Sequence, residues 1–308
     1  MLDRSNPYYR QVELVMRVLP LVAREGCFAL KGGTAINMFI RDLPRLSVDI
    51  DLTYLPIDNR DVALPAIQNA LRRIAENIER VIHGAKVNAV IGEGGCYQKF
   101  QISAGGAQIK IEASPVLRGS VLPVTTMPVS DPVAYQFGYV DTQVFAHNEL
   151  YAGKMVAALD RQHPRDLFDV KILLDNEGLT SELMDLFVIY LLVSSRPIAE
   201  LLAPNLIPLQ PVFDQQFSGM SVQIVTVAEL EEARKQMLKR ITAQLTDEHK
   251  AFLVSFKEGE PEWERLVYPQ AQELPAVRWK LQNVRKLKAK QKADALTKLR
   301  AVLFGKSD

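Results

Sequence analysis

The sequence predicts an α+β protein, with an amino-terminal part that mixes strands and helices and a carboxy-terminal part that is all helical. Three observations carry this. Short runs of period-two alternation, rich in Val and Ile, are confined to the first half of the chain. From His147 onward the apolar residues recur at helical spacing almost throughout. At 308 residues the chain is about twice a common domain length, so the change of pattern reads as a boundary between domains 1–146 and 147–308.

Each element follows from local chemistry. Tyr8 to Arg24 places Val12, Val15, Met16, Leu19 and Val22 on one helical face, with Pro20 as a kink. Cys27 to Leu30 is strand-like, Lys31-Gly32-Gly33-Thr34 breaks it, and Ala35 to Arg41 resumes as helix. Ser47 to Tyr54 alternates, with Val48, Ile50 and Leu52 on one face and Asp49 and Asp51 on the other. Asp61 to Ile82 is an amphipathic helix. Lys86 to Ile91, Tyr97 to Ser103 and Gln108 to Ala113, separated by Gly-rich turns at 92–95 and 104–106, form an antiparallel meander. Pro115 to Pro132 shows no clear element. Helices follow over 148–160, 165–175, 181–194, 227–246 and 277–304.

With hydrophobic residues at 48% and charged residues at 24%, disorder is excluded. No window approaches the ~18 apolar residues of a membrane helix, and the start Met-Leu-Asp-Arg-Ser-Asn-Pro is unlike a signal peptide, so a cytoplasmic protein is expected. Cys27 and Cys96 supply neither a disulfide framework nor a Cys-based zinc site and read as small buried or edge residues. The net charge of +1 is an average of unlike parts. Residues 278–308 hold ten Lys+Arg against Asp294 and Asp308, hence +8, and the remainder carries −7.

Two carboxylates at i and i+2 of a strand leave from one face about 7 Å apart at the backbone. Asp49-Ile50-Asp51 therefore suits one or two Mg²⁺ or Mn²⁺ ions, which take oxygen ligands and leave room for substrate phosphates. An exposed strand face simply carrying acids is the alternative, yet Asp disfavours strands, and no Lys or Arg alternates beside the pair. Lys31-Gly32-Gly33-Thr34 stands fifteen residues earlier between a strand and a helix. Its glycines allow close backbone approach to a phosphate, and Thr34 with the helix start offers donors. A plain turn with Thr34 as helix cap reads equally well. Glu112 is an available third carboxylate, or else forms a surface stripe with Lys110. Lys154 emerges between Leu150, Tyr151, Ala157 and Ala158, where an ammonium needs an anion or snorkels to the edge of the core. Asp166 and Asp169, one turn apart, could pair with Lys154 or Arg165, or orient an attacking hydroxyl. His163 lies in a loop beside them, and His83, His147 and His249 lack partners at metal spacing.

Gly33-Thr34, then Asp49-x-Asp51, then an acid on a later strand resemble the nucleotidyltransferase fold of the polymerase β type. The closer resemblance is to the AbiEii-type nucleotidyltransferase toxins of abortive-infection and toxin–antitoxin systems. It is carried by Phe28-Ala29-Leu30-Lys31-Gly32-Gly33-Thr34-Ala35, Leu46-Ser47-Val48-Asp49-Ile50-Asp51-Leu52, Glu149-Leu150-Tyr151-Ala152-Gly153-Lys154, Arg165-Asp166-Leu167-Phe168-Asp169-Val170 and Pro275-Ala276-Val277-Arg278-Trp279-Lys280-Leu281-Gln282-Asn283. Thr34 stands where Ser is common, and Glu112 where Asp is frequent. The resemblance implies a divalent metal on Asp49, Asp51 and Glu112, phosphates cradled by Lys31, Gly33 and Thr34, a triphosphate paired with Lys154, and Asp166 and Asp169 near the site. It also implies an NTP substrate, a growth-inhibiting product, for some relatives transfer to the acceptor end of tRNA, and a separate antitoxin protein.

The basic tail, with Arg285, Lys286, Lys288, Lys290 and Lys292, is either a solvated helix face or a binding surface for the phosphates of RNA. Two other functions compete: transfer of the nucleotide to a protein side chain, and a non-catalytic RNA-binding or antitoxin-like protein.

Overall fold

A computed structural model of the chain describes residue 6, residues 8–91 and residues 97–305. The expectations for Cys96 and for the turn at 92–95 lie outside the described residues. The chain divides into two compact units, Met1–Leu150 with Gly219–Ile224, and Tyr151–Ser218 with Val225–Asp308.

The first unit is built on a mixed sheet. In chain order its elements are α1 (Tyr9–Ala23), β1 (Phe28–Lys31), α2 (Gly32–Ala35), a π-helical turn (Ile36–Ile40), β2 (Asp49–Tyr54), α3 (Arg60–Val81), β3 (Lys86–Ile91), β4 (Tyr97–Ala104), β5 (Ala107–Arg118), β6 (Thr125–Pro128), α4 (Asp131–Phe137) and β7 (Asp141–Val144). The order across the sheet is β3-β4-β5-β2-β1-β7-β6. β2 and β5 run parallel, as do β1 and β7, and the other neighbours are antiparallel. Ile50 and Leu52 of β2, Ile109 and Ile111 of β5, and Ile102 of β4 are buried together with Val15 and Leu19 of α1 and Leu71 and Ile74 of α3. Because side chains alternate along a strand, burying that set commits Asp49, Asp51, Lys110 and Glu112 to the opposite face.

The meander β3-β4-β5 is present as expected. The stretch read as lacking an element contains the end of β5, then β6 and the start of α4. With four residues each, β6 and β7 are too short for periodicity to reveal them; their definition comes from pairing with each other and of β7 with β1.

The second unit is helical. α5 (His147–Arg161) begins in the first unit and continues here; it is followed by α6 (Pro164–Asn176), α7 (Ser181–Val193), α8 (Ile198–Leu202), α9 (Gln210–Gln216), α10 (Val227–Gln244), α11 (Asp247–Glu258), α12 (Pro275–Arg285) and α13 (Ala289–Phe304). α7 is apolar nearly all round, and Leu183, Met184, Leu186, Phe187, Val188, Ile189, Leu191 and Leu192 are buried, as befits a central helix. The helix expected over 227–246 stops at Gln244, since Thr246 caps α11 by accepting from the backbone N–H of His249. The helix expected over 277–304 is two, broken at Lys286-Leu287-Lys288. No Pro or Gly marks that break; it lets α12 pack on α7 and α11 while α13 packs on α11 and α8. No helix among the described residues is long and apolar enough to cross a membrane.

Candidate active site

The sheet register brings three predicted site residues into one lateral row. Lys31 stands opposite Asp51 across β1 and β2, Asp51 opposite Glu112 across β2 and β5, and Glu112 opposite Lys99 across β5 and β4. Directly opposed residues on neighbouring strands lie about 4.5–5.5 Å apart at Cβ, so two acids sit side by side between two lysines. Asp49 is one step along the same face, opposite Lys110. Burial pushes the Lys31 ammonium below its ordinary pKa, while the nearby carboxylates of Asp51 and Glu112 oppose that shift.

The glycine pair opens α2 directly, with no intervening loop. Gly32 adopts φ +74°, a left-handed conformation that a side chain disfavours, and its missing β-carbon leaves space that the Asp51 carboxylate occupies. At Gly33 a β-carbon would lie 2.8 Å from both Arg45 Nη2 and Ser47 Oγ. Thr34 is fully buried. Its hydroxyl donates to the Asp49 carbonyl and lies 3.1 Å from Ser47 Oγ. It therefore does not cap the helix; it ties the glycine turn to the carboxylate strand.

Asp49 and Asp51 suit a hard divalent cation in donor type and in sharing one face. Among the described residues, no three Asp, Glu, His or Cys side chains are grouped closely enough to hold a metal. The fit therefore rests on the Asp49–Asp51 pair, with Glu112 beside Asp51.

In the helical unit a second charge cluster forms. Lys154 Nζ donates to Asp166 Oδ1 at 2.9 Å and lies 3.0 Å from Asp169 Oδ2, and Arg161 Nη2 lies 2.8 Å from Asp166 Oδ2. Lys154, Asp166 and Asp169 are all buried. Both acids pair with Lys154, one of the partners that the sequence suggested, and Arg161 joins Asp166. His163 caps α6: its Nδ1 accepts from the backbone N–H of Arg165 at 3.1 Å, and its Nε2 lies 3.1 Å from Gln216 Oε1. Burial lowers its pKa.

Sequence reasoning passed over Arg45, Ser47, Glu149 and Arg161. Glu149 is 1% exposed and its carboxylate accepts from the backbone N–H groups of Val121 and Leu122 at 2.8 and 3.0 Å. An acid in a first helical turn reads as a dipole partner, so nothing local distinguishes a buried loop anchor. Arg45, between Pro44 and Leu46, carried a signal: a cation flanked by nonpolar residues is a candidate for burial, and it is 2% exposed.

The basic tail splits by use. Arg285 Nε donates to the Gly259 carbonyl at 2.9 Å, Lys292 Nζ to the Glu258 carbonyl at 2.9 Å, and Arg300 Nη2 to the Glu258 carboxylate at 2.8 Å. Three cations thus converge on the carboxy-terminus of α11, where the helix dipole favours positive charge. Arg285 and Lys292, expected on the RNA face, donate to these carbonyls, and Lys286, Lys288 and Lys290 are exposed, as Arg285 also is.

A mixed sheet with paired strand carboxylates beside a glycine-opened helix fits the nucleotidyltransferase class. The chain matches the model of the family described as "Nucleotidyl transferase AbiEii toxin, Type IV TA system" over residues 13–283 and belongs to that family: it is a nucleotidyltransferase toxin of a type IV toxin–antitoxin system. Among solved structures it is similar to MenT4, the nucleotidyltransferase toxin Rv2826c from Mycobacterium tuberculosis H37Rv, at 17% identity over 97% of this chain and 95% of that one, with a TM-score of 0.59; at that identity the likeness shows a shared fold. No curated protein matches the sequence.

Proposed function

We propose that this toxin transfers a nucleoside monophosphate from an NTP to an RNA acceptor, the 3′ end of tRNA, and so blocks translation and growth. The observation that supports this reading best is the pair Asp49 and Asp51, held on one face of β2 beside the Gly32-Gly33 turn. A divalent ion, Mg²⁺ or Mn²⁺, would be held by Asp49 and Asp51 with Glu112 adjacent, and would supply charge neutralisation to the phosphates and acidify an acceptor hydroxyl. The chain's own residues do the rest. Backbone N–H groups at Gly33 and Thr34 bind phosphate oxygens, and Lys31 orients Asp51 across the strand pair. Lys286, Lys288 and Lys290 offer exposed charge to an RNA backbone. The antitoxin is a separate protein that restores growth, and the chain acts in the cytoplasm.

The test is incubation of the purified chain with each labelled NTP, Mg²⁺ and total RNA, followed by gels that resolve RNA from protein. Label is expected on RNA, and sequencing of 3′ ends identifies nucleotide and acceptor. Label on protein alone would replace RNA with a protein side chain as acceptor. The reading fails if nothing is labelled while Asp49→Ala leaves toxicity intact.

A further inference from the structure

α12 presents an exposed face. Its inner residues Ala276, Val277 and Val284 are buried where α12 packs on α7 and α11. Trp279, Gln282, Asn283 and Lys286 follow one another at spacings of three, four and seven from the tryptophan, which sets them along one stripe of a helix. All four are exposed, the indole by 52%. Among the described residues none of these four side chains makes a hydrogen bond, an ion pair or a ring contact. The chain's other tryptophan, Trp263, by contrast packs tilted and edge-on against Phe252 and Phe256 at ring distances of 5.4 and 6.2 Å.

The surrounding charges sharpen the chemistry. Arg278 pairs with Glu273, Lys280 donates to the Ser194 carbonyl at 2.5 Å, and Arg285 donates to Gly259. Lys286 is left outward, continued by the exposed Lys288 and Lys290, and no acid occurs from Trp279 to Ala293. An indole, two amides and a run of lysines is the combination that recognises single-stranded nucleic acid: every base has a face that stacks on an aromatic ring, amides pair with base edges, and ammonium groups meet phosphates. A duplex keeps its bases stacked and cannot use the indole.

We infer that the outer face of α12 holds a single-stranded segment of RNA, with a base stacked on Trp279, base edges read by Gln282 and Asn283, and the phosphates running toward Lys286, Lys288 and Lys290. This rests on the RNA-acceptor reading above and adds where the acceptor is gripped.

The experiment uses the full chain and its intrinsic fluorescence, titrated with a short single-stranded RNA of mixed sequence and with the matching duplex. In Trp263→Phe the single strand quenches the remaining emission and the duplex does not. In Trp279→Phe the quench is lost and binding weakens a few-fold, and in Trp279→Ala it weakens about tenfold, the scale of one stacked base. Lys286→Gln lowers the slope of log Kd against log salt by about 0.7. Thermal melting of Trp279→Phe at the wild-type temperature shows that the fold is kept. Wild-type RNA affinity in Trp279→Ala, or a quench that belongs to Trp263, overturns the inference. If that variant also escapes rescue by the antitoxin, the face binds that protein. The two readings fail separately: RNA labelled by Trp279→Ala at an unchanged RNA KM removes this face and keeps the activity, whereas quenching with no RNA labelling removes the activity and keeps the face.

Discussion

Gly32 lies directly against the carboxylate of Asp51: a β-carbon at position 32 would come within 3.1 Å of Asp51 Cγ and overlap its Oδ2. Glycine suits this position for its backbone conformation, and any side chain here would have to displace the Asp51 carboxylate. The turn and the acidic strand are a single packed object.

Gly32→Ala should consequently cost about 1–3 kcal/mol of stability, the scale of a residue forced into a sparsely populated backbone region, and should lose nucleotide transfer by more than the loss of folded protein explains. Denaturant unfolding and transfer rates on the same preparation check this. Full activity in a stable variant would show that Asp51 tolerates displacement.

Thr34→Val should act on stability first. It removes the hydroxyl that serves the Asp49 carbonyl, at a cost of about 0.5–1.5 kcal/mol for one lost hydrogen bond, while Thr34→Ser stays close to wild type. If the hydroxyl instead met the triphosphate, Thr34→Val would raise the KM for NTP with no change in melting temperature.

Lys154→Met should be destabilising by about 3–5 kcal/mol, because it leaves buried carboxylates without their shared cation. Adding Asp169→Leu should restore part of that loss, since Asp166 keeps Arg161. Chemical denaturation of the two single variants and the double variant measures the coupling; strict additivity would mean that the ion pair contributes nothing.

His163 should make stability fall on mild acidification. Burial lowers its pKa in the folded chain below the ordinary value of 6.5, so the unfolded chain takes up a proton first. The contribution of this residue is complete above about pH 6.5 and is lost as pH falls from there through the folded value; protonation also removes the Nδ1 acceptor that caps α6. His163→Asn keeps a capping oxygen without titrating and should flatten the stability profile below pH 6.5. A slope identical to wild type would assign the pH dependence to the carboxylates.

Alanine at Arg285, Lys292 or Arg300 should each cost about 0.3–1 kcal/mol, the usual scale for a cation at a helix carboxy-terminus, with little change in RNA affinity. Lys288→Gln or Lys290→Gln should show the reverse: unchanged melting and a shallower salt dependence of RNA binding. Salt-titrated binding and thermal melts on this set separate the two groups of cations.

The site was legible in the sequence where local chemistry is unusual. Two aspartates inside an aliphatic strand and paired glycines between a strand and a helix stand out without knowledge of any partner, and the alternation of β2 assigns Asp49 and Asp51 to one face. The partner of Thr34 was not legible, because a hydroxyl after a glycine pair looks the same whether it turns outward or inward. Its direction depends on β2 lying beside α2, which no short window encodes. The tail is a similar case: its charge is plain from composition, but the division between Arg285 and Lys292, which serve α11, and Lys286, Lys288 and Lys290, which face outward, requires the break after α12.

The sequence by itself determined the types of the longer elements, the face on which the acids leave β2 and the excess of positive charge near the carboxy-terminus, because periodicity and composition are properties of neighbouring residues. Only the tertiary structure decided that Lys31, Asp51 and Glu112 form one row and that Arg45 lies against Gly33. It also decided which lysines stay free of internal work. Strand order and register join residues as distant as Lys31 and Glu112, and they follow from burying Ile50, Leu52, Ile109 and Ile111 together, a condition that the chain meets as a whole.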